Sequence, residues 1–154
     1  MTLADVKDVA TILGVVVGAG SLLFAALNLL ITARTNRAKF WLELRSAFAR
    51  HDEVHRALRP GGKWAGGAVP STPEEYFQIE AYMGLFEHCE IMISQRLIDE
   101  KTFREIYRYR LVNLLANRWV REVKVCGFPS GWKRFIELLE RFQVEYACPK
   151  PGDA

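Results

Sequence analysis

The stretch that decides the fold is VATILGVVVGAGSLLFAALNLLITA, residues 9–33. It holds no charged side chain over 25 positions, and 18 of them are hydrophobic. As an α-helix it would rise about 37 Å, against a hydrocarbon core about 30 Å thick, so it can span a bilayer with some tilt. Outside this stretch the composition is that of an ordinary globular domain. In a chain of 154 residues with net charge +3, this pattern excludes a simple soluble enzyme and leaves no room for a multispan transporter.

A secretory signal would begin with a basic segment and carry a shorter apolar core. Residues 1–8 instead contain Asp5, Lys7 and Asp8 and are net negative. The expectation is a retained single span at 9–33. Arg34, Arg37, Lys39 and Arg45 follow it, with only Lys7 before it. Positive-inside bias then orients residues 1–8 outside an inner membrane and the remainder in the cytosol. Cys89, Cys126 and Cys148 fall on the cytosolic side. Odd in number and widely spaced, they are expected to be reduced thiols, not a disulfide frame or zinc site.

Within the span, Gly14 and Gly18 form a small-xxx-small motif, which Ala10 and Ala26 extend. Small residues let membrane helices approach closely, so this face is the expected seam of a homo-oligomer; glycine is also simply common in membrane helices. Asn28 needs a polar partner or a wet lumen. With Thr11, Ser21 and Thr32 it would line a pore in a ring of copies.

Beyond the span, residues 34–146 read as a cytosolic bundle of about four helices, followed by a loose tail at 147–154. Phe40, Leu44 and Phe48 recur at four-residue steps, which predicts a helix over 35–58, ended by Arg59-Pro60-Gly61-Gly62. Ser71-Thr72-Pro73-Glu74-Glu75 starts a second helix that presents Phe77, Ile79, Tyr82, Met83, Phe86, Cys89, Met92 and Ile93. Asp99 opens a third, expected to run to about Val125 with Phe103, Ile106, Tyr107, Leu111, Leu114, Leu115 and Trp119 at core spacing. Ser130 is expected to cap a last helix carrying Trp132, Phe135, Ile136, Leu139 and Phe142. Nothing reads as a strand, so the fold class is all-α.

No phosphate loop, metal motif or nucleophile elbow is present, and no cofactor is implied. Arg104, Arg108, Arg118, Arg121 and Lys124 alternate with acids, which argues against a nucleic-acid stripe. One spacing carries chemistry: Arg50 and His55, separated by four residues. It resembles the Arg-x(4–6)-His motif of HEPN-type helical ribonucleases. There a histidine moves a proton at the 2′-hydroxyl while arginine stabilises phosphate charge. A solvated basic face beside anionic headgroups explains the same residues without catalysis.

Leu85-Phe86-Glu87-His88-Cys89-Glu90, Arg96-Leu97-Ile98-Asp99, Phe103, Tyr107 and Leu111 together resemble a bacterial family of unknown function with an amino-terminal membrane helix and a small helical domain. The order of the span, the domain size and Arg50…His55 are similar to the pore-forming membrane accessory proteins of type VI-B CRISPR systems. That resemblance implies a non-enzymatic homo-oligomer that permeabilises the membrane or signals in antiphage defence. Two alternatives stand beside it: a membrane-tethered HEPN-like ribonuclease using Arg50 and His55, and a passive anchor for a cytosolic protein partner.

Overall fold

A computed structural model describes residues 3–148, the side chains of 3–20, 23, 33 and 34 excepted. Five α-helices occur in the order α1 (Leu3–Ala49), α2 (Asp52–Leu58), α3 (Pro73–Ser94), α4 (Glu100–Ala116) and α5 (Lys133–Arg141), with a π-helical segment at Val120–Cys126 between the last two. Among the described residues there is no strand. The chain divides into two compact units, Met1–Ser46 and Ala47–Ala154.

Among the described residues, no helix is long and apolar enough to cross a membrane. Of the uncharged run, the side chains of 9–20, 23 and 33 lie outside that description. Thr11, Gly14 and Gly18 fall among the side chains not described, while Ser21, Asn28 and Thr32 are exposed along α1.

The helix expected over 35–58 is broken. The His51 amide donates to the Phe48 carbonyl at 3.0 Å, and Arg50–His51 forms a turn before Asp52 and Glu53 start α2 with acidic side chains at its positive end. The chain leaves α2 at Gly61, with φ +84°, and Gly62, where a Cβ would lie 2.3 Å from the Ala57 carbonyl oxygen. The following loop is not free of the core: Trp64 is buried.

The start of α3 follows the sequence closely. Thr72 Oγ1 accepts from the Glu75 amide, and Glu75 reaches back to accept from the Ser71 amide at 2.7 Å. Lys63, 2.8 Å away, and then the Ser71 amide hold the Glu75 carboxyl down at about 2. Asp99 caps α4 by accepting from the Thr102 amide. Gly84 faces open space, so it marks no close helix crossing.

The helix expected to run to Val125 stops at Asn117, which is fully buried. Its Nδ2 donates to the carbonyls of Trp64 at 2.7 Å and Ala68 at 2.8 Å, and its Oδ1 accepts from the Val120 amide. One carboxamide thus ties the 60–70 loop to the end of α4 and starts the π-helical segment, at the cost of the regular ladder. Ser130 does not cap α5; the helix starts after Trp132 with no side-chain cap of its own. The Glu87 carboxylate on α3 accepts from the Phe135 amide instead, supplying from a neighbouring helix what a local cap would give.

Two residues expected in the core, Phe77 and Ile106, are exposed. The expected reduced cysteines are also corrected: Cys126 and Cys148 form a disulfide, and only Cys89 is free and buried. Cys126 and Cys148 are 22 positions apart and the segment between them contains α5, which turns the chain back, so wide spacing in sequence concealed proximity in space. Cys148, placed in the loose tail by the sequence, is therefore tethered; 149–154 lie outside the described residues.

The core of the 47–154 unit is aromatic. Phe48 stacks on Tyr107 with ring centroids 4.0 Å apart and meets Phe86 edge-on at 5.1 Å. Phe103 touches Tyr107 and Phe142, and Phe135 touches Phe86. α5 packs along α3, and α2 packs on α3 and α4. At the α3–α5 contact the buried Glu90 receives Arg141 through both Nε and Nη2, the shortest distance being 2.7 Å.

Candidate functional site

A polar cluster of the 47–154 unit forms where α2, α3 and α4 meet. α2 and the turn before it supply His51, Asp52 and His55; α3 supplies Tyr82; α4 supplies Tyr109 and Arg110. His51 lies against the Tyr82 ring at 5.4 Å, and His55 meets Tyr109 edge-on at 5.3 Å and Tyr82 at 6.4 Å. Arg110 Nη2 donates to Asp52 Oδ1 at 2.9 Å, and its Nε donates to Tyr109 Oη at 3.2 Å. The guanidinium also lies 5.6 Å from the Phe48 ring centre.

His55 is 4% exposed, and its Nδ1 has no hydrogen-bond partner. Burial, then the charges of Arg110 and Arg59, push its pKa down to about 4, against the opposing pull of Asp52. Burial and then Arg50 also lower His51. Burial dominates at Tyr82 and raises its hydroxyl well above the usual phenol range. At neutral pH His55 is therefore a neutral imidazole and Tyr82 a neutral phenol, beside an arginine that is paired with Asp52 through Nη2 while its buried Nη1 has no hydrogen-bond partner.

This arrangement does not assemble the Arg50/His55 pair. Arg50 is exposed in the turn and its charge falls on His51, whereas the cation acting most on His55 is Arg110. A general base works best with a pKa near the working pH, and His55 is far below it. Arg110, which replaces Arg50 in this role, is missed by a spacing argument because it lies on another helix. Several basic side chains of the late helices are engaged as well. Arg108 donates to the Phe142 and Gln143 carbonyls, Arg118 pairs with Glu122, and Lys124 pairs with Glu80. Among the described residues no group of three metal-ligating side chains occurs.

The cluster makes stability depend on acid. His55 binds its proton near pH 4 when folded and near 6.5 when unfolded, so protons favour the unfolded chain. Stability is full above about pH 6.5 and falls as pH drops toward 4, by on the order of 3 kcal/mol. The groups facing His55 are Arg110, Arg59, Asp52, Tyr82 and Tyr109. His55→Asn should flatten most of the slope in urea midpoints measured between pH 7 and 4.5; an unchanged slope would contradict the assignment.

A second feature is an open groove of about 770 Å³ on the other side of α4, lined by Arg108, Val112, Leu115, Arg121, Tyr146 and Cys148 among others. Its outer wall is the segment 143–148.

No protein-family model matches the chain, and no curated protein or solved structure is significantly similar to it.

Proposed function

We propose that the chain is a single-span inner-membrane protein that self-associates and permeabilises the membrane or signals across it, as an effector in antiphage defence. The observation that carries the membrane part is the exposure of Leu22, Phe24, Leu27, Leu29, Leu30 and Ile31 within one stretch of α1. At about 100° per residue these six side chains spread over about 220° of the helix circumference, and Ser21, Asn28 and Thr32 share the remaining arc. A soluble helix hides an apolar stripe of about 100° against its neighbours, whereas one that exposes apolar side chains over more than half its circumference needs lipid or protein around it. The uncharged run 9–33 and the basic residues after it support the span and its orientation, with 47–154 in the cytosol.

A single helix encloses no lumen, so permeabilisation requires several copies. Gly14 and Gly18 would form the close-packed seam, with Thr11, Ser21, Asn28 and Thr32 toward the lumen. The aromatic bundle would then be the regulatory and assembly domain, and the low pKa of its buried His55 supports a structural role over proton transfer. The defence role rests on the resemblance in architecture alone.

Liposomes loaded with a potassium-sensitive dye test the reading. Wild-type protein should release potassium, and Gly14→Leu with Gly18→Leu should reduce the rate by about tenfold or more by holding helices apart. Flux unaffected by that pair would overturn the glycine seam. Absence of flux from correctly inserted wild-type protein would overturn permeabilisation and favour an anchor for a cytosolic partner.

A further inference from the structure

α5 ends in a Schellman turn. The Gln143 amide donates to the Glu140 carbonyl, the Val144 amide donates to the Leu139 carbonyl, and Gln143 takes a φ of +52° in the position usually given to glycine. The chain then reverses and runs back toward the π-helical segment as an irregular strap, 143–148, ending at the Cys126–Cys148 disulfide. Its near end is held by Arg108 on the Phe142 and Gln143 carbonyls and by the buried Val144. Its far end is held by the disulfide.

We propose that this disulfide is a reversible redox latch: oxidation holds the strap over the groove beside α4, and reduction releases it. Three features support this. Cys148 is exposed and Cys126 half-buried, so a thiolate can reach the pair. α5 does not need the bond, because Phe135, Leu138, Leu139 and Phe142 are buried and Arg141 is paired with Glu90. The strap does need it, since Val144 is its one buried side chain. Opening is therefore local, and it removes the wall of the groove beside the buried Leu115, widening an α4 face on which Arg108 and Val112 are already exposed.

The exchange balances with a cellular dithiol as reductant. One dithiol thiolate attacks the Cys148 sulfur, forming a mixed disulfide and releasing Cys126 as a thiolate that takes up a proton. The second thiol of the reductant, after losing its proton, closes on its own sulfur in that mixed disulfide. This releases the Cys148 thiolate, which takes up the proton, and two electrons have moved to the pair. An oxidised dithiol runs the sequence backwards. The physiological meaning rests on the cytosolic orientation proposed above, where protein disulfides are generally transient and redox-sensing.

The test uses the full chain in detergent, with and without a millimolar dithiol, followed by chymotrypsin cleavage after Tyr146. Reduction should speed that cleavage by about tenfold or more, as the strap's open population rises, while cleavage after Phe135 stays slow. Cys126→Ser with Cys148→Ser should be cleaved at the fast rate in either condition. Equal rates after Tyr146 in the oxidised and reduced protein would overturn the latch. So would a pair that resists the dithiol without denaturant, or acceleration at Phe135 in parallel. Labelling of Cys148 by a membrane-impermeant maleimide added outside intact cells would overturn the orientation alone, because the purified protein reports the latch independently.

Discussion

Phe48→Ala should lower the stability of the 47–154 unit by about 3–5 kcal/mol, the usual range for emptying a buried phenylalanine site. Phe48 is 1% exposed and contacts rings from both long helices of the bundle: Tyr82 and Phe86 on α3, Phe103 and Tyr107 on α4. Those rings are themselves fixed by Phe135 and Phe142, so they have little freedom to collapse into the space left. Leu42→Ala is the control. It removes an exposed leucine from the same helix and should change stability by less than about 0.5 kcal/mol. Urea unfolding of the full chain, followed by near-ultraviolet circular dichroism, checks both. A loss under about 1 kcal/mol for Phe48→Ala would remove Phe48 from the centre of the core.

Arg141→Ala should cost a comparable amount by a different route. Glu90 is 1% exposed, and Arg141 is its recorded ion-pair partner, with a weaker contact to Glu100 at 3.3 Å. Removing the arginine strands a buried carboxylate, typically worth about 3–5 kcal/mol. Arg141 is itself a third exposed, so solvent can enter and the lower end is expected. Replacing both partners, Glu90→Leu with Arg141→Leu, should recover most of the loss, because the large cost belongs to the unpaired charge and not to the absence of the pair. A double variant no more stable than Arg141→Ala would show that the pair holds α5 on α3 in some further way.

Local rules carried much of the architecture. Thr72 with Glu75 and Asp99 with Thr102 are caps made within four residues, and the structure makes both. Phe48, Phe86, Phe103 and Phe135 announce themselves by helical spacing, and all are buried. The errors fall where a partner distant in sequence decides the outcome. Asn117 ends α4 because the carbonyls of Trp64 and Ala68, about fifty residues earlier, take its amide. α5 starts without Ser130 because Glu87 reaches it from α3. Cys126 and Cys148 meet because α5 and its Schellman turn reverse the chain.

The candidate site was half legible for the same reason. His55 stood out by its spacing from Arg50, but spacing along one helix cannot supply a partner from another. Burial beside Arg110 gives this histidine an environment poorly suited to proton transfer at neutral pH. Phe77 and Ile106 show the complementary failure: they fit the apolar period, yet the bundle has no neighbour over those faces, and both stay exposed.

We propose above that this chain works as an assembly held in the membrane by its uncharged helix. The most direct test is the mass of the purified full-length protein in mild detergent, corrected for bound detergent by light scattering with refractive index and absorbance. The account predicts a discrete multimer that Gly14→Leu with Gly18→Leu reduces to smaller species, while the bundle keeps its helical content. A wild-type protein that is monomeric at every detergent-to-protein ratio that keeps it folded would contradict it.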